Sequence, residues 1–178
     1  RAARCQASST ATADESAAGH FTDDWRETVA HNDVDLICIT TPPYLHREQT
    51  LAAIANGKNV LCEKPMAMNV AEAEEMAAAA RNSGKLMLID HELRFQPGRR
   101  VARQFIRDGK LGNIRNVKHI FQAPHRGDAS LPWNWWSDAK AGGGALGAIA
   151  SHVIDGFRWL LDTEISSVSC QLQSHIKQ

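Results

Sequence analysis

Between Asp35 and Asp90 the chain alternates short apolar runs with amphipathic stretches in a regular order. Asp35-Leu36-Ile37-Cys38-Ile39-Thr40 is an apolar run closed by Thr41-Pro42-Pro43, the pattern of a strand buried on both faces. Leu45 to Asn56 then carries Leu51, Ile54 and Ala55 at helical spacing and stops at Gly57, which suits the left-handed position after a helix. Asn59 to Cys62 predicts a second strand, followed at once by Glu63-Lys64-Pro65. Asn69 is placed to cap a helix from Val70 to Asn82, whose alanines and Met76 form a narrow packing face, and Gly84 ends it. Lys85 to Asp90 predicts a third strand. Strands joined by helices of this length imply parallel pairing with right-handed crossovers, hence an α/β fold built on a partial Rossmann-type, doubly wound parallel sheet. Upstream, Trp25 to Ala30 reads as a short helix capped by Thr22 or Asp23; before it the pattern fades.

Beyond Asp90 the texture changes. Pro97 to Gly109 reads as a basic helix whose Arg99, Arg100, Arg103 and Arg107 form a solvated face. Asn113 to Ala123 and Ile165 to Ile176 read as strands, the second with Val168, Cys170 and Leu172 on one face. Between them lie a loop dense in Trp and Gly, Asp128 to Gly144, and a helix from Leu146 to Leu161. These elements predict part of a second, α+β domain with an open, mostly antiparallel sheet, giving domains over 1–94 and 95–178.

Twenty basic residues balance twenty acidic ones among 178, so charge gives no reason to expect a nucleic acid or an anionic membrane as partner. The four cysteines, at 5, 38, 62 and 170, form no CxxC pair, and two lie inside apolar runs, which predicts free thiols in a reducing cytosol. No stretch is long and apolar enough for a bilayer span, and the first residues lack a secretory core, so a soluble, cytoplasmic protein is expected. The chain has no initiating Met and stops at Gln178 inside a strand-like run, which reads as a piece of a longer protein. His46, His91, His119, His125 and His152 lack the short spacing of zinc ligands, and no metal site is expected.

Lys64 is the residue best placed for chemistry. It stands at the C-terminal end of an apolar strand, where open α/β sheets bind ligands, and Pro65 restrains the backbone behind it. His152, flanked by Ala148, Ile149, Ala150 and Ile154, has by pattern alone the setting of a core residue, and His46 near its helix start has that of a loop-binding one. Trp133, Trp135 and Trp136 offer flat apolar faces suited to sugar rings; packing of the loop or a subunit interface explains them equally well.

Four short motifs occur in one order: Thr40-Thr41-Pro42-Pro43 with Leu45-His46, then Glu63-Lys64-Pro65, then Glu92-Leu93-Arg94-Phe95, then Gly142-Gly143-Gly144 leading to His152 and Asp155. Together they resemble the glucose–fructose oxidoreductase, inositol dehydrogenase and rhizopine-catabolism family (Gfo/Idh/MocA), from about Phe21 onward. The resemblance implies a Rossmann domain binding NAD or NADP, and a second domain whose sheet carries substrate and homo-oligomer contacts. It implies hydride transfer at a hydroxyl carbon of a sugar, cyclitol or related polyol, with Lys64 and His152 sharing the proton transfer. On the same ground Thr40, Thr41, Pro42, His46, Glu63 and Arg94, with Lys64, fall on the cofactor side. Trp133, Trp136, His152 and Asp155 fall on the substrate side. Two departures stand out. Ala148 occupies a position where many relatives carry an aspartate, and no GxGxxG turn occurs anywhere in the chain, so nothing distinguishes NAD from NADP. The same fold also serves sugar-sensing regulators and NAD-dependent glycoside hydrolases, which remain the alternatives.

Overall fold

The computed structural model describes residues 2–4, 21–123, 128 and 130–173. These divide into two units, one formed by 1–90 with 135–148 and the other by 91–134 with 149–178.

The first unit is a four-stranded parallel sheet in the order β1-β2-β3-β4, with β1 at Ala2–Arg4, β2 at Leu36–Ile39, β3 at Asn59–Glu63 and β4 at Met87–Asp90. Helices α1 (Trp25–Ala30), α2 (His46–Ala55) and α3 (Val70–Ser83) connect them. Strands laid down in sequence order with right-handed crossovers put successive helices on one face. Ile37, Ile39, Val60 and Cys62 accordingly form that face of the core with Val29 of α1 and Ala53 and Ile54 of α2, while Ala79 and Ala80 of α3 pack against it. On the opposite face Cys38, Leu61 and Leu88 stand in register across three strands. A doubly wound sheet needs a reversal of strand order, and the described strands supply one of its two directions.

Local chemistry explains the element ends. Asn69 accepts a hydrogen bond from the Glu72 amide at 3.0 Å, satisfying one orphan donor at the start of α3, while the Glu72 carboxylate accepts from the Met68 amide just ahead of the cap at 3.1 Å. Gly84 ends that helix in the left-handed conformation, as the sequence predicts. At α1 the cap is Asp24, which accepts from the Arg26 amide at 2.9 Å, and not Thr22 or Asp23. Thr22 instead accepts from the Asp24 amide and donates to Glu27. Strand β1 corrects the expectation of three strands: it pairs with Leu36, Ile37 and Cys38, so β2 is not an edge.

The second unit contains a 3₁₀ turn at Glu92–Phe95, helix α4 (Pro97–Arg107) and helix α5 (Ser151–Leu161). The arginines of α4 are not all solvated: the Arg103 guanidinium lies 4.7 Å over the Trp159 ring of α5. Neither 113–123 nor 163–173 forms a ladder, so among the described residues the expected antiparallel sheet is not present. Their apolar side chains, Val117, Ile120, Phe121, Val168 and Leu172 among them, are exposed. Alternation marks a two-faced segment, but a strand exists only with a partner to bond. Among the described residues no helix is long and apolar enough to cross a membrane.

Candidate active site

In the first unit the ends of β2 and β3 converge. Thr40 is exposed at the tip of β2, and Thr41 and Pro42 are half-buried beside it. The Thr41 hydroxyl donates to Gln49 Oε1 at 2.7 Å, fastening this loop to α2. His46 is fully buried, with Nδ1 at 2.9 Å from the Pro65 carbonyl and Nε2 at 2.8 Å from the Thr41 carbonyl. Both ring nitrogens are thus engaged by backbone, and the ring ties the loop after β2 to the loop after β3. Cys62, just before the motif, is also fully buried; burial first, then the Glu63 charge, pushes its thiol up to about 12 against the lowering effect of a Thr50 hydrogen bond. It is an inert core thiol, not a nucleophile.

Lys64 follows on a cis Lys64–Pro65 bond, half-buried, with its amide donating to Glu63 Oε2 at 3.2 Å. Its ammonium donates to the Ala148 carbonyl at 2.9 Å. Thus the residue at which the expected aspartate is missing still serves the lysine, through its backbone oxygen.

That oxygen is delivered by the glycine run. Gly142 adopts φ +84°, and a Cβ there would stand 2.6 Å from Pro43 Cβ and 2.9 Å from Met68 Sδ. Gly144 O then accepts from the Ala148 amide at 3.1 Å. The close seat of Gly142 on Pro43 and Met68 goes with the grouping of Trp135 to Ala148 in the first unit. Trp136, half-buried, lies with Trp135 at a centroid distance of 5.5 Å in this unit, whereas Trp133, exposed, belongs to the second.

In the second unit Arg94 grips Asp155. Arg94 Nε donates to Asp155 Oδ2 at 2.8 Å and Arg94 Nη2 donates to Oδ1, a two-pronged pair on a carboxylate that is only 8% exposed. His91 Nε2 lies 3.7 Å from the same Oδ1. This pair holds the 3₁₀ turn to α5 within the second unit. Asp155 and Arg94, placed by the resemblance on the substrate and cofactor sides, are here partners of one another.

Burial raises the Asp155 carboxyl, but hydrogen bonds from Arg94 and the nearby His91, Arg94 and Arg158 charges outweigh it and hold the group below its usual 3.8. A depressed carboxyl stabilises the fold above its unfolded value, and that contribution is lost as pH falls through the folded one. Urea midpoints should therefore drop for the wild type as the pH falls below the usual carboxylate range, and drop less for Asp155→Asn, which starts less stable at neutral pH.

His152 lies on the first turn of α5 with its side chain 12% exposed. Its Nε2 is 3.7 Å from Glu92 Oε1, on the 3₁₀ turn that Arg94 anchors. Sequence reasoning passes over Glu92, because no local signal joins residues sixty positions apart.

Comparison with known proteins agrees with both halves. Residues 2–91 match the family model described as "Oxidoreductase family, NAD-binding Rossmann fold", and residues 100–178 match its companion, the GFO/IDH/MocA C-terminal domain. The chain is 33% identical over 158 residues to levoglucosan dehydrogenase of Pseudarthrobacter phenanthrenivorans, covering 88% of this chain and 40% of that protein. It is 38% identical over 141 residues to 1,5-anhydro-D-fructose reductase of Ensifer adhaerens, covering 78% and 41%. A solved levoglucosan dehydrogenase in complex with NADH and levoglucosan superposes with TM-score 0.68 at 32% identity, over 79% of this chain and 38% of that one. The chain thus spans about two fifths of the length of these relatives. With a parallel sheet delivering Glu63-Lys64-Pro65 to its C-terminal edge and both family models matched in order, the chain belongs to the Gfo/Idh/MocA oxidoreductase family.

Proposed function

We propose that this chain is part of an NAD(P)-dependent oxidoreductase that moves a hydride between nicotinamide and a hydroxyl carbon of a sugar, cyclitol or related polyol. The observation that carries this reading is Lys64 at the C-terminal end of β3, its ammonium directed by the Ala148 carbonyl rather than spread into solvent.

The residues present fit one part of the cofactor. Thr40 to Pro42 and Glu63 to Pro65 end adjacent parallel strands and frame the position where open sheets receive ligands. The pyrophosphate needs a glycine-rich turn between a strand and a helix, and no such turn occurs in this chain. These residues therefore hold the nicotinamide side alone. When bound, the nicotinamide supplies the hydride acceptor or donor.

Lys64 donates a hydrogen bond to the reacting oxygen and stabilises negative charge as it develops there. His152 takes up the hydroxyl proton in the oxidative direction and returns it in the reverse one, imidazole titrating naturally near neutral pH. Trp133 and Trp136 offer flat apolar faces on which a sugar ring can stack. Levoglucosan and 1,5-anhydro-D-fructose, named for two relatives, make anhydro sugars the first class to try.

The reading is tested by mixing the full-length protein with NAD or NADP and a panel of polyols and anhydro sugars, and following reduced nicotinamide by absorbance. Turnover with at least one pair is expected; binding of both ligands with no turnover across the panel would sink the reading.

A further inference from the structure

We infer that Glu92 is a positioning residue for His152, supplying a carboxylate to its ring from the 3₁₀ turn. The inference rests on the reading of His152 as the proton acceptor.

A histidine that accepts a proton becomes a cation, and a neighbouring carboxylate orients the ring and stabilises that cation. On α5 the available acid is Asp155, one turn beyond His152, but both its oxygens are taken by Arg94. Ala148 has no acid to give. Glu92 is the carboxylate at hand, with Oε1 at 3.7 Å from His152 Nε2. That separation is too long for a direct hydrogen bond and suits an ion pair that forms as the ring gains its proton.

Two features make the placement more than a surface encounter. The turn at Glu92–Phe95 is fixed from within, since Arg94, two residues on, is the residue clamped to α5 through Asp155. The acid and the histidine therefore ride on elements already joined. The side chains also differ in the useful sense: His152 is 12% exposed and Glu92 50%, so the carboxylate keeps its hydration while the imidazole sits in a drier place. Half exposure also limits the effect through solvent screening, so a contribution smaller than that of a buried triad acid is expected.

The charged groups of this cluster are Glu92, Arg94 and His91 from the turn and its approach, and Asp155 and Arg158 from α5. Arg94 and Asp155 neutralise one another, and Arg158 is paired with Glu164 through two hydrogen bonds of 2.8 and 2.7 Å. Removing the Glu92 charge should therefore act on His152 without disturbing these two pairs.

The test compares Glu92→Gln, Glu92→Asp and His152→Asn with wild type in the full-length protein, reading kcat, KM and the His152 ring titration by NMR. Expected for Glu92→Gln is a fall in kcat of about tenfold with KM nearly unchanged, and a lower His152 titration midpoint. Glu92→Asp, which keeps the charge on a shorter arm, should recover part of both. An unchanged His152 midpoint in Glu92→Gln overturns the inference, as does unchanged kcat when His152→Asn has lost turnover. If His152→Asn itself turns over normally, the proton-acceptor reading fails, and the NMR arm still reports whether Glu92 acts on the ring.

Discussion

Lys64→Met is expected to lower kcat/KM by about a thousandfold while leaving the protein folded, because it removes a donor that acts on charge developing in the transition state. Methionine keeps the length and apolar stem of lysine and loses only the ammonium. The folded state gives up one hydrogen bond, to the Ala148 carbonyl, worth about 1 kcal/mol on a half-buried group. Denaturant unfolding should thus shift little while turnover collapses. Lys64→Arg is not expected to rescue it, since a planar fork cannot place a single donor where the compact ammonium stands. Steady-state kinetics on both variants, alongside their unfolding curves, separates the two effects. A loss of less than about tenfold in Lys64→Met would remove Lys64 from the chemistry.

The second large effect falls on stability. Gly143→Ala should destabilise the first unit by about 3 kcal/mol or more, because a Cβ at this position meets the carbonyl oxygens of both Trp135 and Trp136 closer than 3.0 Å. Those oxygens cannot simply step aside. Trp136 O accepts from the Gly144 amide at 2.9 Å and Trp135 O from the Asp138 amide at 3.2 Å, while the Gly143 amide itself donates to Asp138 O at 2.9 Å. Relief of the clash breaks the loop's own hydrogen bonds. The glycine run leads into the turn that presents Ala148 O to Lys64, so activity should fall with stability. Thermal or denaturant midpoints give the first readout; a midpoint equal to wild type would show that the loop has room the close contacts deny.

The parts of this fold legible in the sequence are those written in consecutive residues. Strands β2, β3 and β4 announce themselves as apolar runs, and α3 by a capping asparagine at one end and a glycine at the other. Strand β1 is three residues of alanine and arginine, too short and too polar to carry a period. At α1, Thr22, Asp23 and Asp24 are all competent caps in succession, and only geometry selects Asp24. The segment 113–123 fails in the opposite way: its alternation is real, but ladder partners are a property of the whole assembly of strands.

The site divides along the same line. Lys64 is legible because strand end, charge and proline lie side by side. The Arg94–Asp155 pair joins residues 61 apart, and Lys64 and Ala148 are 84 apart, so neither leaves a local trace. The buried fate of His46 is hidden for a related reason, since the two carbonyls that engage it come from Thr41 and Pro65, on either side of its helix. What reading residue types cannot tell is which polar group is already spent on another. That is the distinction between a residue that lines a site and one that builds it.

The most direct test of the oxidoreductase reading is transfer of the substrate's own hydrogen. A polyol or anhydro sugar that is turned over is prepared with deuterium at the reacting carbon, incubated with the full-length protein and oxidised nicotinamide cofactor, and the reduced cofactor is examined by mass spectrometry. Deuterium on the nicotinamide ring with wild type, and its near absence with Lys64→Met, is the expected result. Product formation with no deuterium on the cofactor would contradict hydride transfer, and full transfer in Lys64→Met would contradict the place given to Lys64.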